Sequence, residues 1–384
     1  VNIAFFLHSL ASDWNHGNAH FVRGVCSELV ARGHDLTTHE QKDNWSIWNL
    51  RNTQKRNPEA MLAEAYPSLV GISRTFEVGG QGDGFADPDF ADVEASEAAL
   101  DLPTRLAGVD AVVVHEWTPP GVVAAIGKYR RDVGGFNLLF HDTHHRVVSE
   151  PEKMSRFDIS GYDGVLAFGE VLRRAYIKLG WPADRVFTWH EAADTNVFKP
   201  MEAEKEGDLV WIGNWGDDER TAELHEYLLD PAKSLGLNGV IHGVRYPNEG
   251  VAAVEDAGLT FGGYRPNHTA AEAFARHRLT VHVPRRWYVS HLPGIPTIRV
   301  FEALACGIPL ITAPWQDSET LFTPGRDFLA ASNGDEMQRQ MRRVMTEPAL
   351  VEDLVGGGLR TIHARHTCKH RVDELLAILD MIGV

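Results

Sequence analysis

Short apolar runs alternate with amphipathic stretches along almost the whole chain. This is the pattern of parallel α/β units, in which helices cover both faces of a sheet and strands read as near-continuous hydrophobic runs. In the first half, residues 3–7, 111–115, 136–140, 164–168 and 186–189 predict strands. Residues 20–32, 119–131 and 170–179 predict helices between them, the first closed by Gly33 where a left-handed C′ residue is wanted.

The polar stretch 198–208 interrupts this alternation and predicts a linker. Strands then resume at 209–213, 239–242, 259–262, 279–283 and 309–312, with helices at 218–229, 248–256, 269–277 and 296–306, and the tail from 336 to 382 reads as wholly helical. The expectation is an α/β chain of two Rossmann-like, doubly wound domains, 1–200 and 208–365, with a ligand cleft between them at the strands' C-terminal ends. A helix over 366–384 is expected to pack back on the first domain. The segment 79–89 resists this scheme: it is glycine-rich and acidic, follows no clear strand, and reads as a surface loop rather than a dinucleotide fingerprint.

Composition narrows the partners. Of 384 residues, 37 are Lys or Arg and 53 are Asp or Glu, for a formal charge of −16. Such a chain repels phosphate backbones and anionic lipid, so nucleic acid is not expected as a partner, and no apolar run approaches the ~20 residues of a spanning helix. Cys26, Cys306 and Cys368 lie far apart with no CxxC spacing, and the opening stretch Val1 to Leu7 has no signal character. Both point to a reducing, cytoplasmic setting.

The most informative stretch is 292–312. Pro296 suits the first turn of a helix and Gly307 its C′ cap, while Ile298, Phe301, Leu304 and Ala305 make one buried stripe. Arg299 and Glu302 are i, i+3 neighbours on another face. The helix start, after the glycine-proline loop at Gly294, presents unpaired N–H groups, an anion site worth ~0.3–2 kcal/mol per charge. A carboxylate one turn in suits a ribose diol at ~1.5–3 kcal/mol. The plainer alternative is a surface Arg299–Glu302 ion pair worth ~0.3–0.5 kcal/mol.

This segment resembles the nucleotide-sugar end of group 1 glycosyltransferases, two-domain GT-B enzymes, and in particular their spore-maturation CgeB-like subgroup, whose Arg-x-x-Glu-Ala-x-Ala-x-Gly-x-Pro core matches Arg299 to Pro309. The likeness extends over Gly33-His34-Asp35, the strand 163–168, the run Ala192 to Pro200, Trp211-Ile212-Gly213-Asn214 and Phe261-Gly262-Gly263-Tyr264. The resemblance implies a glycosyltransferase that takes a nucleoside-diphosphate sugar as co-substrate, with retention, without a metal or other cofactor. Glu302 would bind the ribose, the Thr297 and Ile298 amides the diphosphate with Arg299 beside them, and Tyr264 the base. The chain departs from the family in two places. Gly294 stands where a second glutamate would meet the transferred sugar, and Asn214 stands where one of the family's diphosphate-binding cations would be. Arg220, Arg265, Arg285 and Arg286 remain as the cations a leaving diphosphate needs, with Arg220 preferred.

Histidines suggest a second locus. His141-Asp142-Thr143-His144-His145 follows the strand 136–140, where α/β ligands sit, and reads as a substrate-contacting loop, a structural loop or a zinc site in that order. By the resemblance His141 would contact the donor sugar, with His144 second. The loop from His8 to His20 contains Gly17 just ahead of a helix and is the acceptor-side candidate, Asp13 or His16 serving as general base if the reaction inverts. Asp87-Pro88-Asp89 spells a metal-binding tripeptide of another glycosyltransferase fold, in the wrong context. A nucleotide-sugar epimerase and a non-catalytic nucleotide-sugar or glycan-binding protein remain as alternatives. The acceptor, whether glycan, small molecule or protein, is left open.

Overall fold

The apolar runs pair side by side into two all-parallel sheets. The computed structural model describes residues 1–78, 93–216 and 219–383. The glycine-rich segment 79–89, with Asp87 and Asp89, and position 218 lie outside them. The chain divides into one unit of Val1–His190 with Lys369–Val384 and a second of Glu191–Cys368.

In the first unit the strands are β1 (Asn2–Leu7), β2 (Asp35–Gln41), β3 (Ser73–Phe76), β4 (Ala111–His115), β5 (Asn137–Asp142), β6 (Gly164–Ala167) and β7 (Val186–Thr188). Their order is β3-β2-β1-β4-β5-β6-β7. The middle of β4, Val112 to Val114, is fully buried because helices flank both faces. β2 and β3, and the helices Trp45–Asn52 and Pro58–Ala65, were not expected from the pattern. The reason is visible in β2, which reads Asp-Leu-Thr-Thr-His-Glu-Gln and has little apolar content to announce a strand. It is held instead by its partners. His39 stacks on Phe6 at 4.6 Å, and Glu40 accepts hydrogen bonds from Ser9 Oγ, the Leu10 amide and Ser73 Oγ at 2.7–2.9 Å.

The second unit contains β8 (Gly207–Ile212), β9 (Gly239–His242), β10 (Thr260–Gly263), β11 (His277–His282), β12 (Leu310–Thr312) and β13 (Leu329–Ala330), ordered β10-β9-β8-β11-β12-β13. The stretch 198–208 falls inside this unit, whose first residues are tied to its last: the Ala193 amide donates to the His366 carbonyl and the Cys368 amide to Ala193. Two expected helices need correction. The expected helix over 218–229 is Thr221–Leu224, then a wide π-turn His225–Leu229 that runs into Asp230–Leu235. Pro231 lacks an N–H and its ring crowds the preceding turn, which the widened turn relieves. The helix expected from Pro296 begins at Ile298, with Thr297 as its N-cap and Gly307 left-handed at its end (φ 68°). The helical tail is three pieces, Gly334–Thr346, Pro348–Arg365 and Cys368–Ile382, the first break falling at Pro348.

The last helix belongs to the first unit through Trp189. This indole is 1% exposed, donates from Nε1 to the Arg371 carbonyl at 2.8 Å, and packs edge-on against Phe21 and His141 at 5.2 and 4.8 Å. Trp189→Ala is expected to cost ~3–5 kcal/mol. Thermal unfolding checks this, and an unchanged midpoint would show that the helix is held by other contacts.

Candidate functional site

In an open parallel sheet a crevice opens at the strands' C-terminal ends where the winding reverses. That reversal falls between β1 and β4 in the first unit and between β8 and β11 in the second. Asp13, His16, Gly17, Asn214, Arg220, Gly294 and Thr297 occupy the connections that leave β1, β8 and β11, whereas His141 and His144 lie at the end of β5 and Tyr264 and Arg265 follow β10.

In the second unit, Gly213 and Asn214 follow β8, and His282 ends β11. His282 Nε2 lies 3.0 Å from Thr297 Oγ1, so the N-cap hydroxyl is held there, and no side chain caps the Ile298–Cys306 helix. The Ile298 and Arg299 amides of this nine-residue helix therefore stay available to an anion, while the Val300 amide donates to the Thr297 carbonyl at 3.0 Å. Arg220 spans the loops: it donates to the carbonyls of Val283 (2.9 Å) and Asn214, and its guanidinium lies 5.1 Å from the Trp211 ring centre. Asn214 Oδ1 accepts from the Val244 amide at 3.1 Å. Burial, then the charge of Arg285, lowers the Arg220 pKa to about 9, with a smaller push from Arg299. Arg285 pairs with Glu219 at 3.4 Å and Arg299 with Glu302, whereas Arg220 pairs with no carboxylate among the described residues, so it is the cation left to meet an anion.

Arg299 pairs with Glu302, but not as a surface ion pair: Glu302 is 0% exposed and the Arg299 side chain 23%. A second buried carboxyl, Glu191, completes the group. Burial, then the charge of Glu302, raises its pKa to about 8, offset in part by Arg299. Gly294 has φ 101° and its amide donates to the Gln316 carbonyl at 2.7 Å; a Cβ there would sit 2.4 Å from Ser318 Oγ. A glutamate here would hold a strained left-handed backbone and would have to displace the Ser318 hydroxyl, which gives the departure from the group 1 pattern a conformational cause. Arg265 is turned to its own loop, donating twice to the Thr269 carbonyl and pairing with Glu272. Arg286 pairs with Glu223 on the surface. Ile298 is buried in the first turn, and half-buried Tyr264 follows β10 at the far sheet edge.

In the first unit the loop after β1 is tightly strapped. Asn44 caps the helix Trp45–Asn52 through the Ser46 and Ile47 amides and donates to the His8 carbonyl at 2.8 Å. Ser46 Oγ lies 2.8 Å from both Ser12 Oγ and the Trp14 carbonyl. Asp13 forms a buried ion pair with Arg23 at 3.1 Å. His16 is buried beside His8, and burial, then the charge of Arg23, lowers its pKa to about 4. Gly17 is exposed. His141 is 2% exposed, wedged among His115, Trp189 and Phe21, and burial lowers its pKa to about 3. His144 is half-buried with its ring 5.5 Å from Trp117. Among the described residues no group of three or more His, Cys, Asp or Glu side chains converges as a metal site.

Of the residues here, His115, Glu116 and Arg146 escaped the sequence reading, whereas His8, Asp142 and Thr143 lay in loops it singled out. His8, His115, Glu116 and Arg146 gather at the β1 and β4 ends, with Glu116 and Arg146 as a buried ion pair and Thr143 Oγ1 3.2 Å from His115 Nε2. Asp142 accepts from Tyr176 Oη at 2.6 Å; burial, then the charge of Glu116, raises its pKa to about 7. Their one sequence signal is position, each standing at or just after the end of an apolar run. Glu191 and His282 carry the same signal.

Residues 220–377 match the family model described as "Glycosyl transferase-like". No match to a curated protein was found. Among solved structures, the chain is similar to a glycosyltransferase from Rickettsia africae (TM-score 0.69, 9% identity, covering 99% of this chain and 98% of that one). It is also similar to sucrose-phosphate synthase from Thermosynechococcus elongatus (0.70, 15%, 99% and 98%), and to Anabaena HepE in complex with UDP and glucose (0.69, 12%, 99% and 99%). At these identities the likeness is one of fold, and the fold is GT-B.

The buried ionisable groups set opposing pH dependences. His8, His16, His115, His141 and His282 have pKa values held below 6.5 by burial, so their contribution is present above that pH and is lost as pH falls below it, towards about 4 for His16 and about 3 for His141 and His282. Asp142 and Glu191 have raised values, so their contribution is lost as pH climbs through about 7 and 8. Thermal unfolding across pH is expected to peak at about pH 6.5–7 and to fall more steeply on the acid side. A midpoint that rises steadily into alkaline pH would contradict this.

Proposed function

We propose that this protein is a glycosyltransferase that moves a sugar from a nucleoside-diphosphate sugar to a hydroxyl acceptor. The observation that carries the reading is a buried Arg220 that pairs with no carboxylate among the described residues, together with the Ile298–Cys306 helix whose start no side chain caps, both inside the segment that matches the glycosyl transferase-like family. This charge and the Ile298 and Arg299 amides suit the diphosphate, which gains negative charge as the bond between the sugar C1 and the phosphate oxygen breaks. Glu302, buried and oriented by Arg299, is the ribose ligand in this reading. UDP is the first nucleotide to try, since HepE holds UDP and glucose in the same fold. The CgeB-like subgroup rests on the Arg299 to Pro309 core.

Retention is the stereochemistry the residues favour. Asp13 is committed to Arg23, and His16 is too weak a base to draw a proton at neutral pH. In our reading the acceptor proton passes to the leaving diphosphate oxygen as the new C1–oxygen bond forms. The protein supplies positioning and charge stabilisation. The arginines and helix amides take the electrostatic role a metal would otherwise fill, so we expect turnover in EDTA.

The test is thermal unfolding and calorimetry with UDP, GDP, TDP, ADP and CMP in EDTA, followed by product analysis with the matching sugar nucleotide. A ligand at about 100 times its Kd adds ~2.7 kcal/mol. One diphosphate should therefore raise the midpoint by several degrees, and Arg220→Ala should weaken its binding by about 10- to 100-fold, the worth of a charge-assisted bond. Glu302→Ala should lose it as well. No response to any nucleotide would end the transferase reading.

A further inference from the structure

The β1–β4 reversal of the first unit carries a wall of rings. His8 lies 4.4 Å from Trp45 and 6.2 Å from Trp117, Trp45 and Trp117 are 6.3 Å apart, Trp14 meets Trp45 at 5.9 Å, and Trp117 meets His144 at 5.5 Å. His8 and Trp14 are buried, whereas Trp45, Trp117 and His144 are half-buried at the strand ends. A purely structural cluster would satisfy its polar atoms. Here His8 Nε2, Trp14 Nε1 and Asn18 Oδ1 are buried with no hydrogen-bond partner among the described residues. Buried polar atoms without a partner are a small minority in proteins, and three gathered beside one ring surface are what a bound polar molecule would meet.

The charges around the wall cancel in pairs, Asp13 with Arg23 and Glu116 with Arg146. The Arg146 guanidinium sits 4.2 Å from the Trp117 ring centre and is occupied by that carboxylate. His8 and His16 are neutral at physiological pH because burial lowers both pKa values. An anion would find no uncommitted cation there. What remains is an apolar ring surface beside neutral donors and acceptors, and the matching chemistry is a molecule with one apolar face, several hydroxyls and no charge.

We propose that the wall formed by His8, Trp14, Trp45 and Trp117 binds the ring of a neutral sugar. On the transferase reading this sugar is the acceptor, so the product is a glycosidic link between two sugars. Binding itself does not depend on that reading. Trp45 is aimed by the Asn44 cap, which fixes the first turn of its helix, so the indole is preorganised for stacking.

The experiment is saturation-transfer NMR and calorimetry on the full chain with methyl glucoside, methyl galactoside, maltose, glucose 6-phosphate, glucuronate and p-nitrophenol, with UDP titrated separately. Neutral saccharides are expected to bind at least about tenfold better than their charged counterparts, and Trp45→Ala to weaken them by about tenfold. Trp45→Phe should recover most of that loss, and UDP affinity should stay unchanged in both variants. Charged sugars or p-nitrophenol binding as well as the neutral saccharides, or Trp45→Ala leaving saccharide binding intact, would overturn the proposal. UDP binding without any saccharide binding would overturn it and leave the donor reading standing. Saccharide binding without UDP would do the reverse.

Discussion

Both candidate loci depend on one constraint, the reversal of winding in each all-parallel sheet. A parallel strand must be followed by a crossover, and where neighbouring strands send their crossovers to opposite faces, their C-terminal loops part and leave a crevice. The reversal lies between β1 and β4 in one unit and between β8 and β11 in the other. His8 and His115 end up at the first, Asn214 and His282 at the second, because each stands just beyond or at the end of one of those four strands. The chemistry is then set by what the adjoining loops supply.

The two loci differ in one cation. In the second unit, Arg285 pairs with Glu219 and Arg299 with Glu302, but Arg220 is anchored on two carbonyls with no carboxylate partner among the described residues, and the Thr297 hydroxyl sits against His282. In the first unit, Arg23 and Arg146 each pair with a buried carboxylate and the histidines stay neutral. In the reading proposed above, the arrangement in the second unit serves a charged donor and that in the first a neutral acceptor.

Gly294 shows how local backbone geometry can decide chemistry. Its φ of 101° strains any residue with a side chain, and a Cβ would also have to displace the Ser318 hydroxyl, so in the transferase reading the transferred sugar is met by other residues. Glu191 is a buried acid that feels the charge of Glu302, and burial raises its pKa to about 8. A protonated carboxyl beside an ionised one can donate a hydrogen bond where two carboxylates would repel.

Period and composition were enough to determine the α/β class, ten of the thirteen strands among the described residues and the helix that carries Arg299 and Glu302, because fully buried parallel strands and an amphipathic helix each leave a strong hydrophobic signature. They were not enough for β2, whose polar residues are held by Phe6, Ser9 and Ser73 from distant parts of the chain. Nor could they separate Asp13, committed to Arg23, from a free base, or show that Arg265 turns to Thr269 while Arg220 spans two loops. Local pattern reports which face of an element is buried. Which charge meets which partner depends on residues tens of positions apart being brought together, and only the tertiary structure decides that.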